Sequence, residues 1–251
     1  DDKTKILTEN GWKLFKDVEK NEKVATKNLN TGKLEFQRPY DRQVYDYSGE
    51  LYSFEGRSVS LLVTPEHRLL VRRKHKKEWE FVNSPEFKYG MEFDKKLNWE
   101  GKKLSQFKIP FIDGGNRKRD LGNIEIKEYL ELIGWYISEG SVYEPSKGDY
   151  RISIAQSEKR YRDEIRKLLK KMKIKFNDQS KENIHIHSKE LFYHLKKLGL
   201  SNKKYVPKKI KELTPRLIKK FLIALFKGEG SFNDGKLRRY YTNSKILAED
   251  I

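Results

Sequence analysis

The stretch Tyr129-Leu-Glu-Leu-Ile-Gly-Trp-Tyr-Ile-Ser-Glu-Gly-Ser-Val142 returns further along the chain as Phe221-Leu-Ile-Ala-Leu-Phe-Lys-Gly-Glu-Gly-Ser-Phe232. Both copies are apolar all round, the pattern of a helix buried on most sides. Small residues recur at four-residue spacing, Gly134 and Ser138 in the first and Ala224 and Gly228 in the second, a stripe that lets two helix backbones approach closely. Each helix ends in Glu-Gly, and Gly140 and Gly230 are expected to close it as left-handed C-terminal caps. A strand and a polar turn follow in both copies, Ile152-Ser-Ile-Ala-Gln-Ser157 in one and Arg239-Tyr-Tyr-Thr-Asn-Ser244 in the other, and then a helix signal. Self-similarity of this kind marks a duplicated structural unit.

Outward from the repeat, Ile126 to Ile137 reads as the first helix, Tyr150 to Ala155 as a strand and Ser157 to Met172 as an amphipathic, basic helix. Ile174-Lys175-Phe176 and Ile184 to His187 read as further strands, and Lys189 to Leu198 as another helix. The second copy stops at Ile251, where the first runs on through two strands and a helix. The first hundred residues differ: Ile6-Leu7-Thr8, a turn at Glu9-Asn10-Gly11, then Trp12 to Phe15; Lys23 to Thr26, a turn at Asn30-Thr31-Gly32, then Leu34 to Phe36; Leu51 to Phe54, leading to Val59 to Val63. Short runs between turn signals predict an all-β unit. Around Asp113-Gly114-Gly115-Asn116 the pattern breaks. The expected fold is therefore α+β, an all-β domain over 1–118 and a mixed α/β domain over 119–251, its first repeat at about 121–210 and an incomplete second from about 213.

The formal net charge of +18, from 55 Lys+Arg against 37 Asp+Glu, makes a polyanion the leading partner, because neutralised phosphates release condensed counterions. Lys- and Glu-rich surfaces of heat-stable proteins tend to balance their signs in ion pairs; this one does not. There are 0 cysteines, which excludes disulfides and thiolate metal sites. No apolar run is long enough for a membrane span and no signal peptide opens the chain, so no membrane partner and an intracellular, cytoplasmic location are expected.

Glu139 and Glu229 stand in the last turns of the repeated helices, where the helix dipole disfavours an anion. Side by side they also repel. A divalent cation relieves both penalties, and hard oxygen ligands with phosphate suit magnesium, which at such a site activates water and stabilises a leaving oxygen. A single copy would read as a helix-packing motif with a frayed end; two copies with the same ending point to a site.

Leu132 to Gly140 and Leu222 to Gly230 resemble the paired motifs of the LAGLIDADG (dodecapeptide, DOD-type) homing endonucleases. The resemblance implies that Glu139 and Glu229 are catalytic and bind the metal; many members carry Asp there. Lys203-Lys204-Tyr205-Val206-Pro207 resembles the family's Lys-x-x-Pro element, which gives Lys204 a catalytic role in stabilising charge or activating water; otherwise it is a surface lysine in a run of lysines. The family fold implies double-stranded DNA lying on a saddle of strands, contacted by alternate side chains. The candidates are Arg151 and Ser153 on one strand, His185 and His187 on another, and Arg238, Arg239, Tyr241 and Asn243 in the second repeat. His185-x-His187 has the spacing of a metal pair but no third ligand. A monomer with an internal pseudo-dimer is expected.

Leu61 to Val71 is an apolar run broken by Thr64-Pro65-Glu66-His67. It resembles the Thr-x-x-His element of the intein (Hint) splicing domain, in which Thr64 and His67 would grip the amino-terminal scissile peptide and the histidine would protonate the departing nitrogen; the same residues also suit an ordinary turn. Residue 1 is Asp, no Cys exists, and the chain ends at Asp250-Ile251, whereas splicing needs a terminal nucleophile and a cyclising Asn. The expectation is an internal fragment of an intein, its exteins a host protein, which does not splice as it stands but carries a metal-dependent endonuclease specific for the insertion site. The alternative is a LAGLIDADG maturase or DNA-binding regulator that binds without cutting.

Overall fold

The computed structural model describes residues 3–56, 59–94, 97–110, 112, 121–144, 146, 148–233 and 236–251, and it divides into two compact units, Asp1–Trp99 and Glu100–Ile251. The glycine-rich and basic stretch expected to mark the boundary, Asp113 to Arg119, lies outside the described residues.

Asn10-Gly11 and Asn30 to Gly32 turn the chain as predicted, Gly11 and Gly32 taking the positive φ that their turns require. They join β1 (Lys5–Thr8) to β2 (Gly11–Leu14) and β3 (Val24–Lys27) to β4 (Leu34–Gln37), which form an antiparallel sheet of order β2-β1-β3-β4. β5 (Tyr52–Gly56) and β6 (Val59–Val63) make a hairpin; β7 (Arg68–Arg73) lies between β8 (Glu80–Asn83) and β9 (Met91–Phe93). Among the described residues this unit is built of strands and single 3-10 turns, as its turn spacing predicts. Its core is small: Leu69, Val71 and Val82, walled by the rings of Phe54, Phe87 and Phe93 at 5.0–5.8 Å.

The second unit opens about twenty residues ahead of the expected boundary at 118. Gly101 sits at φ +62 with its Cα against the Leu213 carbonyl, a Cβ there falling 2.2 Å from that oxygen, and Lys102 pairs with Leu213 in a parallel bridge, its amide donating to Glu212 at 2.7 Å and its carbonyl accepting from Thr214 at 3.1 Å. β10 (Gln106–Lys108) then pairs with β11 (Asn123–Glu125). Ile126 begins α1 (Ile126–Glu139), its amide on the Ser105 carbonyl at 2.8 Å. Residues 100–110 thus belong to the helical unit, a placement that turn signals alone do not show.

After α1 come β12 (Gly140–Tyr143), β13 (Arg151–Ala155), α2 (Lys159–Lys171), β14 (Phe176–Asn177), β15 (Asn183–His187), α3 (Lys189–Lys196) and the short α4 (Lys208–Lys211). The repeat supplies α5 (Pro215–Glu229), β16 (Gly230–Asn233), β17 (Lys236–Tyr240) and α6 (Lys245–Asp250). The antiparallel sheet β12-β13-β15-β14 turns Ile152, Ile154, Ile184 and Ile186 onto the helices, all fully buried. Trp135 and Tyr136 of α1 are buried completely too, as an all-round apolar helix predicts. α5 departs from that prediction: Leu217, Phe221, Ala224 and Leu225 are buried but Ile223 is 42% exposed. α1 is covered by a four-stranded sheet and by α2; among the described residues, the strands that pack on α5 are β16 and β17.

Candidate metal and phosphodiester site

α1 and α5 touch through their small residues. A Cβ built on Gly134 would stand 2.6 Å from the Phe221 carbonyl oxygen and 2.7 Å from the Ala224 Cβ; on Gly228 it would stand 2.3 Å from the Ser138 Oγ and 3.0 Å from the Glu139 Cγ. The last contact lays the foot of α5 beside the Glu139 side chain, so the two Glu-Gly endings emerge together. The glycines after them are not left-handed caps. Gly140 has φ −87, ψ 150 and Gly230 φ −89, ψ 137, extended backbone that leads straight into β12 and β16. Glycine is needed there for room: a Cβ would fall 2.6 Å from the Tyr136 carbonyl oxygen in one copy and 2.1 Å from that of Phe226 in the other.

Burial, and then the neighbouring Glu229, push the Glu139 carboxyl up to about 7, against the smaller opposing pull of Lys204. Lys204 is 7% exposed, and its ammonium donates to the Tyr136 and Gly140 carbonyl oxygens at 3.0 and 2.7 Å, tying it to the end of α1. Burial pulls its pKa down to about 8, the two carboxylates opposing. The surface-lysine reading of Lys204 therefore fails on burial. Its loop is held from the C-terminal side, where the Ser244 hydroxyl donates to the Lys204 carbonyl oxygen at 2.6 Å and the Val206 amide donates to Asp250 at 2.7 Å. Beside Lys204 and Glu229 lies a cavity of about 160 Å³ that Tyr240, Tyr241 and Asn243 also line. Among the described residues no three His, Cys, Asp or Glu side chains gather as a metal cluster, and the carboxylates nearest this cavity are Glu139 and Glu229.

The sheet brings the first-repeat candidates onto one face. Arg151 stands opposite His187 and Ser153 opposite His185, with Tyr143 and Ser141 across from Arg151 and Ser153 on the other side. Ser153, however, is 8% exposed and bonded to Asn183 at 3.2 Å, so it is covered on that face and offers little to a ligand. Asp149, which sequence reasoning missed, accepts from Arg151 at 2.7 Å and lies 3.3 Å from the His187 Nδ1; the guanidinium also bonds the Tyr143 hydroxyl and lies over its ring. Burial, with the charges of Arg151 and His187, holds the His185 pKa low.

In the second repeat the expected strand from Arg238 to Asn243 ends at Tyr240. Arg239 pairs with Ser231 as Ser153 does with Ser141; Arg238 falls at a bulge, its side chain outside the described residues. Tyr241 and Asn243 are not strand positions at all: the Tyr241 amide turns back to the Glu229 carbonyl at 3.2 Å, which brings both residues to the cavity. In the first unit Thr64 and His67 are the ends of one turn, the His67 amide donating to the Thr64 carbonyl at 3.1 Å, with His67 exposed.

Residues 127–211 match the LAGLIDADG-like domain family. That segment holds α1, the strand saddle and the Lys204 loop; the second copy lies beyond it and is tied to the first by the helix contact. An ATP-dependent Clp protease proteolytic subunit from Chlamydomonas moewusii is 27% identical over 270 residues, covering 98% of this chain and 26% of that protein. A DNA-directed RNA polymerase subunit beta C-terminal section from Stigeoclonium helveticum is 24% identical over 217 residues, covering 78% of this chain and 20% of its own length. The chain thus spans about a quarter or less of the curated relatives it matches. No helix among the described residues is long and apolar enough to cross a membrane.

Proposed function

We propose that this LAGLIDADG-like chain is an intein-borne homing endonuclease that hydrolyses phosphodiester bonds of double-stranded DNA at the vacant insertion site. The observation that carries the reading is the meeting of Glu139 and Glu229 at the foot of two helices in backbone contact, with buried Lys204 beside them.

Two carboxylates forced together at helix C-termini, one of them holding its proton to about 7, form a donor set short of positive charge. A divalent cation such as magnesium fits that deficit and, when bound, supplies Lewis-acid charge to the scissile phosphate. The chain's own residues do the rest. Glu139 and Glu229 fix where the phosphate sits. Lys204 has three N–H donors, of which two are spent on carbonyls, and the third serves charge developing in the cavity. Its pKa near 8 puts proton donation within reach at neutral pH. Arg151, His187 and Arg239 contact DNA from the strands, and the net charge of +18 provides most of the affinity through phosphates.

The intein part of the reading has two supports. The relatives bear the names of a protease subunit and an RNA polymerase subunit, and a segment common to proteins named so differently is what an inserted element leaves. The turn that carries Thr64 and His67 between two apolar strands suits the Hint element, with a longer parent supplying the splicing nucleophiles and the exteins.

The test is cleavage and gel shift on one protein. With magnesium, the wild-type chain linearises a plasmid that carries the parent reading frame without the insertion; Glu139→Gln does not, yet shifts the same duplex with unchanged affinity. Wild-type protein that shifts the duplex and never cuts it under any divalent cation establishes the binding-only maturase or regulator instead.

A further inference from the structure

The two repeats differ at one position of the site. In the first, the strand residue paired with the glycine after Glu139 is Ile154, fully buried among the apolar side chains. In the second, the residue paired with Gly230 is Tyr240. The sequence repeat hides this correspondence, because matching Ile152–Ser157 to Arg239–Ser244 sets Tyr240 against Ser153, whereas the strand pairing sets it against Ile154.

The Tyr240 ring leans on Phe226, with centroids 5.7 Å apart, which fixes its direction from within α5. It is half buried and lines the cavity that Glu229 and Lys204 share. Among the described residues its hydroxyl has no protein acceptor. A phenol O–H that lines a polar cavity and donates to no described protein group is available to a ligand there. Burial and then the charges of Glu229 and Glu139 raise its pKa above the usual phenol range, so it stays protonated whenever a nuclease of this kind would work.

We propose that Tyr240 is a catalytic residue of this site, donating a hydrogen bond from its neutral hydroxyl to a non-bridging oxygen of the scissile phosphate. The proposal rests on the endonuclease reading given above. No covalent step falls to the phenol: the proton stays on tyrosine, and the bond strengthens as negative charge gathers on the phosphoryl oxygens. The site is then built unequally from its two repeats, with a phenol from the second lining the same cavity as the lysine that follows the first.

Single-turnover cleavage of the vacant-site duplex by the full chain tests this. Tyr240→Phe keeps the ring on Phe226 and removes only the O–H; cleavage is expected to slow by roughly tenfold to a hundredfold, with gel-shift affinity within about twofold. A phosphorothioate at the non-bridging oxygen the phenol contacts should slow the wild-type chain and have much less effect on Tyr240→Phe, a readout that a packing role would not move. Wild-type speed in Tyr240→Phe, or binding lost in parallel with cleavage, overturns the proposal and leaves the nuclease reading standing. Failure of the wild-type chain to cut sinks both, whereas loss of cutting in Glu139→Gln with Tyr240→Phe unaffected sinks only this one.

Discussion

Glu22 illustrates what one residue does in the first unit. It is 5% exposed, and its carboxylate accepts from Lys13, Thr8 and Asn10 at 2.8–3.0 Å, joining the β1–β2 hairpin to the turn before β3. The hydrogen bond from Lys13, then that from Thr8, holds its pKa at about 2, below the ordinary 4.5. A group depressed on folding contributes its full stability above the unfolded value and loses it as pH falls through the folded one. The first unit is therefore expected to weaken between about pH 4.5 and 2, and Glu22→Gln to lower stability at pH 7 while flattening that slope. Fluorescence-monitored denaturant unfolding across that range decides it; parallel slopes for both proteins would assign the acid sensitivity elsewhere. Glu22 stood out in no motif, because its partners converge only once the hairpin has formed.

At the scale of elements, the contact between α1 and α5 depends on the absence of side chains. Backbone and Cβ atoms lie 2.6–2.9 Å from where a Cβ on Gly134 would sit, and backbone cannot swing aside as a side-chain tip can. Gly134→Val is expected to cost about 3 kcal/mol or more, at the upper end of overpacking penalties. Gly56→Ala, where nothing lies within 4 Å, should shift stability by less than about 1 kcal/mol. Equal losses in thermal unfolding would mean that helix contact is looser than drawn. The four-residue stripe of small residues foretold this contact from spacing alone. It did not foretell that Gly140 and Gly230 are extended, since an Glu-Gly ending fits a left-handed cap and a direct turn into a strand equally well; the strand beyond selects the second.

For the whole molecule, the limits of the helical unit bear on how it is handled. Gly101, Lys102 and β10 pack with Leu213 and β11, so the unit begins at Glu100 rather than near 119. A protein of residues 100–251 should melt higher than one of residues 119–251 by roughly 5 °C or more, because the shorter loses a strand and the backbone bridge to Leu213. Equal melting temperatures by circular dichroism would put the boundary back where the turn signals suggested. The pattern break near Gly114 suggests a gap between domains, but strand pairing crosses it, joining residues 106–108 to 123–125.

The sequence by itself determined the duplicated helices, the β-rich first unit and the strands that follow the first helix, and it singled out Glu139, Glu229 and Lys204 as candidates, because periodicity, small-residue spacing and repetition are local properties that survive in a string of letters. It also determined the net charge of +18. Tertiary structure alone decided that Lys204 is buried on the end of α1, that Ser153 is covered on its face of the sheet, and that Tyr241 and Asn243 turn off the strand toward the cavity. It alone put Tyr240 where the first repeat has Ile154. These depend on register and close approach, and a one-residue change of register alters which strand side chain lines the cavity without altering any pattern in the chain.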